Sequence, residues 1–327
     1  MITRLTTRSP VVVQRCGGMV PCILGAFVLF LFVASCSDDS SPVAPPSGDR
    51  NCIDYADYMH ITGSVDTPGY AHGVAVSGNY AYVADGYWGL QVIDISTPAS
   101  PVITGSVDTP GYAESVAVSG NYACVADGSL GLQVIDISTP ASPVITGSVD
   151  TPGVAEGVAV SGNYAYVADG SSGLQVIDIS TSTSPSITGS VDTPGEAEGV
   201  AVSGNYAYVA DGSSGLQVVD ISTPASPVIT GSVATPGVAR GVAVAGNYAY
   251  VADGSSGLQV VDISTPTSPS ITRSVATPPH ALGVAVLGNY AYVADETSGL
   301  CVIDISPPAS PVITGSVDTP GYAKSVA

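Results

Sequence analysis

Six copies of a 42-residue unit stand in register, with Asn79, Asn121, Asn163, Asn205, Asn247 and Asn289 at the same place in each. Each asparagine opens the phrase Asn-Tyr-Ala-(Tyr/Cys)-Val-Ala-Asp, and Leu-(Gln/Cys)-Val-(Ile/Val)-Asp-Ile-Ser follows. A unit this short cannot build a core of its own, so the copies must bury faces on one another. Short β-type segments at this period predict an all-β propeller with one four-stranded sheet per repeat. Repetition also says where to look for function. What every copy carries is architectural, so function belongs where the copies differ.

One repeat, residues 155–192, shows the pattern. Gly157 to Ser161 reads as a short strand closed by the turn dipeptide Gly162-Asn163. Tyr164 to Ala168 reads as a second strand, rich in aromatic and small apolar residues. Asp169-Gly170-Ser171-Ser172-Gly173 is a hairpin turn, where glycine supplies positive φ. Leu174 to Ser180 is expected to form the third strand and Ile187 to Val191 the fourth. No segment has helical periodicity, and proline recurs too often for long helices. Tandem sandwiches are the rival architecture and fail on size.

The phrase Leu-Gln-Val-Ile-Asp-Ile-Ser followed by Thr-Pro-Ala-Ser-Pro resembles the LVIVD-repeat family of bacterial and archaeal surface propellers. The resemblance runs from Ile61 to Ala327. It implies a β-propeller on an exported protein and implies no reaction. Residues Ile61 to Val65 match a fourth strand ahead of the first complete repeat, and Ala327 falls in step with Ala75. These partial copies predict six complete blades plus parts of a seventh, with the domain continuing past Ala327 to a seven-bladed ring. A six-bladed ring with two overhanging strands is the alternative.

The amino terminus carries an address. Arg4, Arg8 and Arg15 precede an apolar run from Val20 to Ala34, too short for an ordinary membrane span and suited to a signal-peptide core. The run ends in Val33-Ala34-Ser35-Cys36, which resembles a bacterial lipobox. Residues 1–35 therefore read as a lipoprotein signal peptide. Residues 36–58 read as the lipidated Cys36 and a flexible tether, and 59–327 as the propeller. An uncleaved anchor with an incidental cysteine is the alternative. Serine at position 37 points, by resemblance to Gram-negative lipoproteins, to the outer membrane or cell surface. The tether is short of apolar surface and broken by proline.

All 27 acids lie beyond Cys36, against four cations there, Arg50, Arg240, Arg273 and Lys324, a formal charge of −23 for the exported part. Such a surface repels phosphate backbones and anionic lipid, which excludes nucleic acid and leaves membrane contact to the Cys36 lipid alone. Cys16 and Cys22 would leave with the signal. Cys52, Cys124 and Cys301 remain, an odd set that does not make a disulfide framework, although a Cys52–Cys301 bridge is one pairing it allows.

Two aspartate series recur. Asp94, Asp136, Asp178, Asp220, Asp262 and Asp304 sit between branched apolar neighbours and are read as clamps on the following turn. Asp85, Asp127, Asp169, Asp211, Asp253 and Asp295 are read as caps of their own hairpins. The differences between copies fall in two turns expected on one face. One position runs Tyr70, Tyr112, Val154, Glu196, Val238, His280, Tyr322, and two residues on it runs His72, Glu114, Glu156, Glu198, Arg240, Leu282, Lys324. Variable loops on a constant scaffold are where recognition usually sits, although exposure alone also permits drift.

Tyr70, Tyr87, Trp88 and Tyr112 are expected to form an aromatic patch suited to sugar faces or protein hot spots. His72, Glu114, Glu156 and Glu198 are expected in an arc at the channel mouth, where a metal site is one reading and the spacing of adjacent blades argues against shared coordination. The candidate ligand-binding set is Tyr70, His72, Tyr87, Trp88, Tyr112, Glu114, Glu156, Glu198, Arg240 and His280. No nucleophile–base spacing, phosphate loop or zinc motif is present. Were the protein an enzyme, a hydrolase or lyase, its groups would come from His72, Glu196, Arg240, Arg273, His280 and Glu296. The expectation is a monomeric surface lipoprotein without metal or cofactor, acting as a non-enzymatic module for a surface protein or, alternatively, a glycan. Replacing Cys36 with alanine should release the protein from the membrane fraction of a Gram-negative host. A variant that fractionates like the parent contradicts the lipid anchor.

Overall fold

Alternating residues of each middle strand point to two different neighbours, and this arranges the whole molecule. In a computed structural model, which describes residues 10–13, 59–277 and 279–327, the repeats form six four-stranded antiparallel sheets and no helix appears among those residues. The blades span residues 73–107, 115–149, 157–191, 199–233, 241–275 and 283–317. In the third blade the strands are β11 (Gly157–Ser161), β12 (Tyr164–Ala168), β13 (Leu174–Asp178) and β14 (Ser186–Val191), paired in chain order as a meander. The first two strands and the turns at Gly162-Asn163 and Asp169–Gly173 fall where the sequence put them. The third ends two residues early, because Ile179 instead donates its N–H to the Asn163 carbonyl at 2.9 Å.

Tyr166 and Ala168 of β12, with Leu174 and Val176 of β13, pack on Ala197, Ala207, Val209, Val219 and Ile221 of the fourth blade. The intervening Ala165, Val167 and Ile177 pack instead on Cys124, Ala126, Leu132 and Val134 of the second. Each inner sheet is therefore covered on both faces, which accounts for its nearly continuous apolar sequence. Large residues meet small ones, as Tyr166 meets Ala207, which lets the blades approach closely. Leu174 is fully buried, and burial of such a side chain contributes about 1.5–3 kcal/mol.

The outer strand carries a bulge opposite Val176 and Ile177. Its glycine, Gly189, runs so close to the next blade that a Cβ there would lie 2.3 Å from the Pro224 carbonyl oxygen. Arg273 occupies this glycine's place in the fifth blade. There the proline it faces, Pro311, is only half-buried, whereas Pro101, Pro143, Pro185, Pro227 and Pro269 are buried.

The parts of a seventh blade are visible. Strand β2 (Gly63–Asp66) takes the outer-strand place ahead of the first blade. A Cβ on Gly63 would meet the Pro98 carbonyl at 2.1 Å, as one on Gly105 would meet Pro140 at 2.2 Å. Val65 covers Ala81, Val83, Ile93 and Ile95. Beyond the sixth blade, Lys324 and Ser325 lie against Gly283 as Glu114 and Ser115 lie against Gly73. Inner strands touch in series from the first blade to the sixth. Strand β1 (Pro10–Val13) pairs antiparallel with β2. Cys36, Cys52 and residues 14–58 lie outside the described residues.

One aspartate series departs from its expected role and the other keeps it. Asp169 does not cap its own hairpin with its side chain. Its Oδ1 accepts the Thr151 hydroxyl at 2.5 Å and its Oδ2 accepts the Gly153 N–H at 2.9 Å. The carboxylate thus reaches back 16 to 18 residues to the loop that leads into its blade. It is wholly buried, and burial pushes its pKa up while the two donors oppose the shift. Asp178, by contrast, turns outward from between its isoleucines. Its Oδ1 accepts the Ser180 N–H at 2.8 Å, and the hydroxyl and N–H of Ser180 hold the carboxyl below the usual range. It clamps the turn, as read from the sequence, but from the solvent side.

Candidate binding site

The hairpin turn of each blade leans on the loop entering the next. Gly86 and Ala113 exchange backbone hydrogen bonds at 3.1 and 3.0 Å, and the same bridge recurs at every later blade junction through Glu296 and Ala323. The bridge sets the variable turn of one blade beside the variable loop of its neighbour. At the first junction this brings Tyr87 onto Tyr112, edge to face with centroids 4.6 Å apart. Tyr87 is 79 % exposed, Tyr70 52 % and Trp88 51 %. Trp88 leans back over Gly69, where a Cβ would lie 2.7 Å from its Cδ1. The predicted aromatic residues thus share one region, with Tyr112 at its centre and Trp88 at its edge.

Tyr112 also joins the rings to the arc. Its hydroxyl lies 2.8 Å from His72 Nε2, and His72 Nδ1 lies 2.8 Å from Glu114 Oε2. A neutral His72 donates from Nδ1 to the carboxylate and accepts the phenol at Nε2, so the carboxylate fixes the ring's tautomer. Burial, then the Glu114 charge, pushes the Tyr112 phenol up and keeps it protonated.

The arc is closer than its sequence suggested. Adjacent blades were expected to hold these side chains apart, yet His72 meets Glu114, and Arg240 donates to Glu198 at 2.6 Å. The innermost strands start here with glycine or serine, and their backbones nearly touch: a Cβ on Gly73 would lie 2.7 Å from the Ser115 Cα. That narrowness draws the residues one step earlier into reach. Among the described residues no three His, Cys, Asp or Glu side chains assemble a metal-holding group.

Glu156 stands between the two paired carboxylates. Burial pushes its carboxyl up to about 7, and the charges of Glu198, Glu114 and Glu196 add to the rise while Arg240 opposes it. Glu198 is also raised, by burial first, against the pull of Arg240. The arc therefore has a paired carboxylate at each end and, between them, a carboxyl that exchanges its proton near neutrality.

His280 lies apart from this group, in the sixth blade, with its Nδ1 2.8 Å from Glu296 Oε2. Arg273 is on an outer strand and joins neither group. Of the residues considered for catalysis, Glu196 and Arg240 act on the Glu156 carboxyl, and His72 pairs with Glu114, which also does. Sequence reasoning missed the clamp threonines, Thr67, Thr109, Thr151, Thr193, Thr235 and Thr277. Their signal was present, since each stands 18 residues before a buried aspartate.

The raised Glu156 predicts a pH effect. Its folded pKa exceeds its unfolded one, so its relative contribution is full below about 4.5 and is lost as pH rises through about 7. Glu156→Gln should raise the melting midpoint at pH 8 by roughly a degree or more and change little at pH 4.5. Equal shifts at both pH values would contradict the placement of Glu156.

LVIVD repeats match residues 68–109, 110–151, 152–193, 194–235, 236–277 and 279–319. The computationally designed Ika8 protein is similar in structure, with a TM-score of 0.58 and 14 % identity over 78 % of this chain and 75 % of that one. A protein described as a putative 6-phosphogluconolactonase from Bacteroides fragilis is similar at TM-score 0.66 and 12 % identity, over 80 % and 89 %. Another so described, from Bacteroides uniformis, is similar at 0.64 and 14 %, over 80 % and 90 %. At these identities the likeness is one of fold. No curated protein matches the chain in sequence. Through six repeats over most of its length, the chain belongs to the LVIVD repeat family.

Proposed function

We propose that the protein is an exported, lipid-anchored binding module that holds a surface protein on the face carrying Tyr70, Tyr87, Trp88 and Tyr112. In this reading Cys36 carries the lipid, residues 36–58 form the tether, and the propeller is not an enzyme. Removal of residues 1–35 would detach β1 and leave the outer edge of β2 free. The observation that supports the reading is Tyr112, which packs on Tyr87 and bonds to His72, making one continuous surface of the rings and the acidic arc. Exposed rings beside partly desolvated charges are the composition of protein hot spots. The excess of carboxylates in the arc favours a partner that offers basic side chains.

A glycan is the second reading. Flat rings stack on sugar faces, and neighbouring carboxylates accept hydroxyl donors, so the same surface suits it. Likeness to proteins described as putative lactonases supplies a scaffold and no activity.

The test replaces the four aromatics by what other repeats carry, as Tyr70→Val, Tyr87→Ser, Trp88→Ser and Tyr112→Val. Parent and variant are screened against purified surface proteins and a glycan array. The proposal expects a protein ligand whose affinity falls at least about tenfold in the variant, consistent with hot-spot losses above 1 kcal/mol. Loss of glycan binding alone would establish the second reading. An unchanged profile would remove this face from consideration.

A further inference from the structure

The sixth repeat departs from the others at several places, and the departures converge on one buried carboxylate. In the first five blades the clamp aspartate accepts a threonine hydroxyl at 2.5 to 2.6 Å and a glycine N–H at 2.9 to 3.0 Å. The amides of Gln133 and Gln217 also favour the ionised forms of Asp127 and Asp211. In the sixth blade the glycine is replaced by Pro279, which has no N–H to give. Asp295 Oδ2 has no hydrogen bond of good geometry in a residue only 1 % exposed, and the His280 backbone N–H is the group that still favours its charge in place of the glycine. The Thr277 bond lengthens to 3.2 Å. Cys301 stands where the glutamine would be, and Glu296 takes the glycine position of the turn at a φ of 45°.

A buried carboxylate with weakened donors and a non-glycine residue in the left-handed region each weaken the local structure. What replaces the lost bonds lies outside. His280 and Glu296, which stand where other blades have other residues, join at 2.8 Å across the two loops in an exposed pair. Exposed pairs hold weakly and are screened by salt.

We propose that the upper loops of the sixth blade, Thr277 and residues 279–282 against 295–299, form a weak latch that opens ahead of the rest of the propeller and uncovers Cys301. The groups facing Asp295 are Thr277, His280, Glu296 and Cys301. The latch lies on the variable face, so a ligand that grips His280 and Glu296 would hold it shut.

The chain carries its own reporters. Cys301 and Cys124 are both free and buried, Cys301 beside the depleted clamp and Cys124 in the second blade, whose clamp is intact. Burial raises both thiols, to about 11 and about 12, so each reacts only when its surroundings open. The full chain is treated with a neutral maleimide at pH 7 under native conditions, and labelling of each cysteine is followed by peptide mass spectrometry. The latch predicts labelling of Cys301 at least about tenfold faster than Cys124. Pro279→Gly, the residue of the other five repeats, should return the donor and slow Cys301 labelling about tenfold. His280→Ala should speed it. Leu300 and Ala323, at the far side of this blade, are less buried than their counterparts, and general loosening there would also expose Cys301. Pro279→Gly leaves that side untouched and separates the two causes. Equal rates at the two cysteines, or a Cys301 rate indifferent to Pro279→Gly, would overturn the latch.

Discussion

A buried aspartate held by a threonine from another loop is the interaction on which the rest of this structure depends. Asp169 serves as acceptor for Thr151 and Gly153, and the full arrangement recurs in the first five blades, the sixth keeping the threonine bond alone of the two. Charge in the interior is tolerable only when hydrogen bonds replace water, and hydrogen bonds to a charged acceptor contribute about 1.5–3 kcal/mol each. The clamp ties the loop that leads into a blade to the hairpin turn between its second and third strands. The neighbouring backbone bridge, such as Gly170 with Ala197, then ties that turn to the following loop. Together they lock the whole upper face in series.

That lock lets the same face vary. Residues held by their backbones can change side chains without disturbing the sheets. At the first junctions the changes gather into rings, a histidine relay and a run of carboxylates. At the last they remove the supports of the lock itself, around Asp295. Glu156 owes its raised carboxyl to burial first and then to charges on both sides, so its chemistry is a property of three adjacent blades.

The repeat made the scaffold legible. A strict period, strand-sized apolar runs and turn residues at fixed offsets named the blades and placed β11 and β12 to the residue. Asp178 and Asp169 were harder, because each stands at the end of an apolar run. One faces solvent and the other is wholly buried, and only the partner 18 residues upstream distinguishes them. The arc was misjudged in spacing because glycine at the start of the inner strands brings backbones nearer than side-chain counting suggests. Pro279 was visible from the start as a break in Thr-Pro-Gly. Its meaning required knowing that the missing N–H belonged to a buried carboxylate.

Native-state hydrogen exchange on Asp211→Ala tests the clamp most directly. Asp211 holds Thr193 and Gly195, and its turn bridges to Ala239 through Gly212. If the clamps lock the face in series, protection should fall at Ala197, Glu198, Gly212 and Ala239. The amides of Ala81 to Ala84 in the first blade should keep theirs. A loss spread evenly over all six blades, or no loss at all, would contradict it.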